Sequence, residues 1–126
     1  MQKKIISKTK FLKLNVESAK KMSMNKALKQ QANKVLFEAD KFRWMHQTTW
    51  LGEPILNLPQ DMFAIQEIIW KTKPEYIIEV GVAWGGSLLF QSMLMDYTGG
   101  KKIIGIDIFI PNDLKQRLKS QKKLFK

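Results

Sequence analysis

The stretch from Glu75 to Ser87, EYIIEVGVAWGGS, limits what this chain can fold into more than any other, because a short apolar run ends on a carboxylate and breaks into glycines. Tyr76, Ile77 and Ile78 favour strand, are too few for a helix and follow Pro74, so residues 76–79 read as a buried strand closed by Glu79. Gly81, Gly85 and Gly86 allow a sharp turn and a close approach of backbone to a ligand. Ser87 stands where a helix over residues 88–97 is expected to begin. Strand, glycine turn and helix in that order belong to doubly wound α/β sheets, which bind ligands outside the carboxyl ends of their strands. The expected ligand position is Glu79 to Ser87, with Ala83 and Trp84 inside the turn.

The pattern then repeats. Gly99 and Gly100 make a turn, and KIIGID at residues 102–107 is a second apolar strand ending in a carboxylate. Asp107 lies 21 residues beyond Gly86, close to the offset of roughly 20 at which an acidic side chain accepts hydrogen bonds from ribose hydroxyls. A carboxylate suits a neutral diol and repels a phosphate. The turn lacks both GxGxxG and GxxxxGK[ST], so neither a pyrophosphate cofactor nor a nucleoside triphosphate is indicated. An acidic strand end beside a turn without lysine fits a cofactor with positive charge and an amino-acid arm, such as S-adenosylmethionine, with Glu79 near its ammonium or sulfonium. The plainer alternative is that Glu79 and Asp107 only cap their strands.

Around this centre the chain is less specific. Pro59 is expected to open a helix, with Asp61 in its first turn and Lys71 and Lys73 near its end, and Met62, Ile65 and Ile69 on the apolar face flanked by Phe63 and Trp70. Residues 41–59 mix aromatics with Gly52, Pro54 and Pro59 and read as an irregular cover segment, in which Trp44 and Trp50 are expected to pack in the core. His46 has no metal or triad partner at a recognisable spacing, so it reads as structural or exposed. Leu12, Leu14 and Val16 alternate with polar residues as in a short strand, and residues 18–37 have the period of one amphipathic helix.

Charge is unevenly spread. Residues 1–34 carry ten lysines against Glu17, residues 112–126 six basic groups against Asp113, and residues 35–111 six basic against nine acidic groups. The excess of +11 therefore belongs to the ends, which are compatible with RNA or anionic lipid, or with solvated helices. Aromatics are not interleaved with the basic residues, so no specific nucleic acid is expected. The absence of cysteine excludes a disulfide framework and a thiolate metal site. No signal peptide or transmembrane run is seen, and a cytoplasmic location is expected.

Residues 48–108 resemble the N-terminal half of the cephalosporin hydroxylase-like family. The matching pieces are Thr49-Trp50-Leu51-Gly52 with Pro54, Gln66-Glu67-Ile68-Ile69, Glu79-Val80-Gly81 through Gly85-Gly86-Ser87, and Gly105-Ile106-Asp107-Ile108. The resemblance implies a truncated doubly wound, Rossmann-like methyltransferase fold, with two parallel strands, flanking helices and a helical N-terminal extension. It implies an S-adenosylmethionine pocket with Glu79, Gly81, Gly85, Gly86 and Ser87 at the methionine end and Asp107 on the ribose. The implied acceptor is a small-molecule or glycolipid hydroxyl, with magnesium expected only in a full-length relative. Residues 1–47 are then a basic helical extension, 48–111 a partial cofactor domain and 112–126 a basic tail outside the family pattern. A fragment lacking the catalytic half is expected to be inactive alone and open to self-association through an unpaired strand edge.

Overall fold

The computed structural model describes residues 6–121. It divides into two compact units, Met1–Phe42 and Arg43–Lys126.

The first unit contains helices α1 (Lys8–Met24) and α2 (Lys26–Asp40). Ser7 caps α1 by accepting the Lys10 amide at 3.3 Å. Asn25, in extended backbone, accepts the Leu28 amide at 3.0 Å and so starts α2. Two sequence expectations are corrected here. Leu12, Leu14 and Val16 are helical, because they lie in a run of lysine, leucine and other helix-compatible residues that Ser7 caps, and three alternating residues are too few to impose a strand. The single helix over residues 18–37 is broken at Asn25, whose short carboxamide favours a cap over a helix interior.

The second unit opens with a 3₁₀ turn, Trp44–His46, followed by strands β1 (Thr48–Trp50) and β2 (Glu53–Ile55). These pair antiparallel with Trp50 opposite Glu53, through a two-residue connection in which Leu51 and Gly52 both have positive φ. That backbone matches the twist of a tight hairpin, and it replaces the irregular segment expected at residues 41–59. Trp44 and His46 are exposed, whereas Trp50 is half-buried, its ring centroid 5.0 Å from that of Phe90 in an edge-on arrangement and its Nε1 3.0 Å from Met93 Sδ.

Helix α3 (Pro59–Thr72) begins at the expected proline, and Asp61 reaches back to accept the Leu58 amide at 3.3 Å. Ile69 is buried and Met62 and Ile65 half-buried, but Phe63 is exposed, as is Trp70, whose ring centroid stands 6.2 Å from that of Tyr97. Strand β3 (Tyr76–Val80), helix α4 (Gly86–Thr98) and strand β4 (Lys102–Ile106) form the β–α–β core, with β3 and β4 parallel. The mixed α/β architecture agrees with the Rossmann-like reading. Helix α4 lies at its centre, touching α3, β1, β2 and β4 and burying Leu89, Phe90 and Met95.

The sheet is covered on one face only. Ile77, Glu79, Ile103 and Gly105 are half-buried, while Tyr76, Ile78, Val80, Ile104 and Ile106 are exposed. The strand read as buried is thus a half-buried one, because no described element lies against its second face. Helix α5 (Asn112–Gln121) closes the unit with Leu114 buried at 2% exposure. The first part of the expected basic tail is therefore packed structure.

Candidate functional site

The glycine turn leaves β3 at its carboxyl end and delivers the chain into α4. The Gly81 amide donates to the Ile106 carbonyl at 2.8 Å, continuing the parallel ladder one step beyond the strands. Val82 turns inward and is buried. Ala83 then takes φ 45°, a left-handed conformation uncommon for a residue with Cβ. The Gly85 amide closes the turn on the Val82 carbonyl at 2.8 Å.

Asp107, just past β4, binds this turn. Its Oδ2 accepts the Val82 amide at 2.7 Å and the Ala83 amide at 3.2 Å, and its Oδ1 accepts the Phe109 amide at 3.3 Å. These bonds, that from Ala83 foremost and then that from Val82, hold the carboxyl below the usual aspartate range, because they favour the charged form. Asp107 is therefore an anion at neutral pH.

Glu79 has a different setting. Its side chain is on the covered face of β3, where it accepts the Ser87 hydroxyl through Oε1 and the Gln91 amide through Oε2, the latter at 2.7 Å. Burial pushes its pKa up, and the bonds from Ser87 and Gln91 oppose that rise. Ser87 does not cap α4 as its position implied. The N-cap is Gly85, at φ 81°, and Ser87 in the first turn spends its hydroxyl on Glu79.

The three turn glycines meet different needs. A Cβ on Gly86 would strike the carbonyl oxygen of Pro54 and stand 2.6 Å from that of Glu53. One on Gly85 would stand 2.9 Å from Leu114 Cδ1. Both residues are small so that β2 and α5 can approach, a packing demand that the sequence does not reveal. Gly81, at φ 89°, faces nothing within 4 Å.

Ala83, Trp84 and Asp107 share a cavity of about 500 Å³ at the carboxyl ends of β3 and β4, walled on its far side by Phe109 and α5. Trp84 is 55% exposed. Two residues of this wall were missed in the sequence, Asp113 and Arg117. The guanidinium of Arg117 donates through Nε to Glu53 at 3.1 Å and through Nη1 to Asp113, and the bond to Arg117 holds Asp113 below the usual carboxylate range. Their spacing of four residues puts both on one face of α5, a signal obscured by the surrounding lysines. Ser87 and Gln91 are related in the same way on α4. The structure thus brings Ala83, Trp84 and Asp107 into one cavity and groups Glu79 with Ser87 and Gln91 beside it. Among the described residues, no three histidine, aspartate or glutamate side chains come together as a metal site would require.

The family model described as Rhamnosyl O-methyltransferase/CmcI matches residues 42–124. That span includes α5, so the expectation that residues 112–126 stand outside the family pattern is overturned for all but its end. The chain is 38% identical over 68 residues to a protein called rhamnosyl O-methyltransferase from Mycobacterium leprae (strain TN), a match covering 53% of this chain and 29% of that relative. No solved structure gives a significant match.

Proposed function

The chain belongs to the Rhamnosyl O-methyltransferase/CmcI family, and from that membership we propose that the turn between β3 and α4 is the cofactor-holding part of an S-adenosylmethionine-dependent O-methyltransferase. The observation that carries the reading is the coupling of Asp107 to the turn amides at a cavity that also exposes Trp84. The donor set suits this cofactor. Asp107 is anionic, and its Oδ1, which accepts the Phe109 amide at 3.3 Å, keeps acceptor capacity for a ribose diol. Trp84 offers an uncovered ring face for a purine or a sulfonium, and the open backbone at Gly81 admits the amino-acid arm. Glu79 supplies negative charge near that arm, oriented by Ser87 and Gln91. Gly85 and Gly86 act one step back, by setting the shape of the turn.

When bound, the cofactor supplies an activated methyl group. The residues of this chain bind and orient it, and no base is assigned among them. The acceptor under this proposal is a hydroxyl of a sugar, glycolipid or other small molecule, in keeping with the relative's name. Magnesium, where a longer relative uses it, would draw on residues outside this constellation.

Calorimetric titration with S-adenosylhomocysteine tests the assignment. Saturable binding is expected, about tenfold weaker or more in Trp84→Ala, whose exposed ring can be removed without disturbing the core, and weaker again in Asp107→Ala. Absence of binding to the intact chain, or equal affinity in both variants, overturns it.

A further inference from the structure

We propose that helix α1 is an in-plane membrane anchor that lies on anionic bilayer surfaces. The inference concerns a different unit from the cofactor turn and does not depend on it. At about 100° per residue, Lys10, Lys13, Lys20 and Lys21 fall on one arc of α1 together with Glu17. Phe11, Leu14, Ala19 and Met22 fall on the other side, which Leu12 and Val16 extend and in which Asn15, Ser18 and the first-turn Lys8 are interspersed. Every side chain of α1 is exposed, with Phe11 at 52% and Met22 at 59%. Lys20 and Lys21 border the apolar arc on its two sides, where a flexible stem can lie along the apolar surface while its ammonium reaches outward.

Charge decides what covers this face. The helix holds five lysines against Glu17, a positive excess that a second copy of the same helix has no acidic groups to complement. An RNA backbone would engage the lysines and leave Phe11, Leu14 and Met22 in water. A bilayer carrying anionic headgroups satisfies both arcs at once, since the apolar residues enter the boundary of the acyl region and the lysines meet the surface potential. No described helix is long and apolar enough to cross a membrane, so α1 lies along the surface and does not span it.

The test is co-sedimentation of the full chain with vesicles of phosphatidylcholine alone and of phosphatidylcholine with phosphatidylglycerol, at low and high salt. Binding is expected on the anionic vesicles only, reduced but not abolished by salt. The charge-neutral pair Phe11→Ser and Leu14→Ser is expected to weaken it about a hundredfold, and the pair Lys10→Gln and Lys13→Gln about thirtyfold. Near-UV circular dichroism of the tryptophans, all of which lie outside α1, is expected to be unchanged in both. No vesicle binding, equal binding to neutral vesicles, or full binding by the Phe11 and Leu14 variant overturns the proposal. So does a preference for RNA that survives that variant.

Discussion

Asp107 Oδ2 accepts the amide of Val82 at 2.7 Å, so the carboxylate ending β4 restrains the turn that leaves β3. The same atom reaches Ala83 at 3.2 Å, within the part of the turn where the backbone is left-handed. A residue placed by its spacing as a ribose ligand therefore has a prior task, holding open the shape into which a nucleoside would fit.

Replacing Asp107 by Asn should loosen that turn, because the amide retains one acceptor oxygen and loses the charge that strengthens two backbone bonds. Hydrogen exchange at Val82 and Ala83 should quicken at least about tenfold, while the core amides of α4 stay protected. In the native chain the same protection should persist at neutral pH. The folded-state pKa of Asp107 is depressed, so its stabilising effect is complete above the ordinary aspartate value and fades as pH falls through the lowered one, below about pH 4. Amide exchange followed by mass spectrometry down a pH series checks both statements. Unchanged protection in the variant would separate the carboxylate from the turn.

Glu79 carries the opposite sign. Its folded-state pKa is raised chiefly by burial, so its favourable contribution is present below the unfolded value and is lost as pH rises through the folded value. Glu79→Gln removes the charge that burial disfavours and keeps a side chain that can accept from Gln91. Its melting temperature, measured from pH 4 to pH 8, should gain on the native chain as pH rises. At the acid end, where Glu79 is itself protonated, the two should converge. A constant offset at every pH would assign the difference to packing alone.

The glycines separate structure from binding. Gly86→Ala places a methyl group against the Pro54 and Glu53 carbonyls, which belong to a paired strand and have little room to move. Such overpacking costs about 1–3 kcal/mol or more, and urea titration should show it whether or not a ligand is present. Gly81→Ala meets open space and pays only for φ 89°, about 1–2 kcal/mol. If a cofactor arm crosses Gly81, that variant should lose more affinity for S-adenosylhomocysteine than a destabilisation of this size explains. Equal affinity in native and Gly81→Ala chains would remove Gly81 from the site.

Residues 59–107 were legible in the sequence because each boundary had a local chemical cause. Pro59 starts α3, Pro74 precedes β3, the glycines break it, and a carboxylate follows β4. The hairpin at Thr48–Ile55 was not legible, since Leu51 gives no hint of the positive φ it adopts and Pro54 argues against a strand. The packing that Gly85 and Gly86 permit was not legible for a related reason. Glycine records that something comes close, and only the fold shows that β2 and α5 do. Helix α5 was read as a tail from its lysines, although Leu114 and Leu118, four residues apart, already marked a face able to pack on Gly85.

The open face of the β3–β4 sheet leads to the last prediction. Ile78 is 64% and Val80 79% exposed, and Ile104 and Ile106 continue the apolar surface across the neighbouring strand. Beyond β3 no described strand pairs with its outer edge, so unpaired backbone groups adjoin that surface. A face of this kind gains from association because its apolar area leaves water without first breaking any packing. The isolated chain should therefore grow in apparent mass with concentration in light scattering. Ile78→Lys with Ile104→Lys should suppress that growth and leave the melting temperature within a few degrees, since neither side chain is buried in the unit. Were the growth instead carried by the apolar arc of α1, the Phe11→Ser and Leu14→Ser pair would suppress it and the sheet pair would not. The two sets of variants therefore assign self-association to one surface or the other.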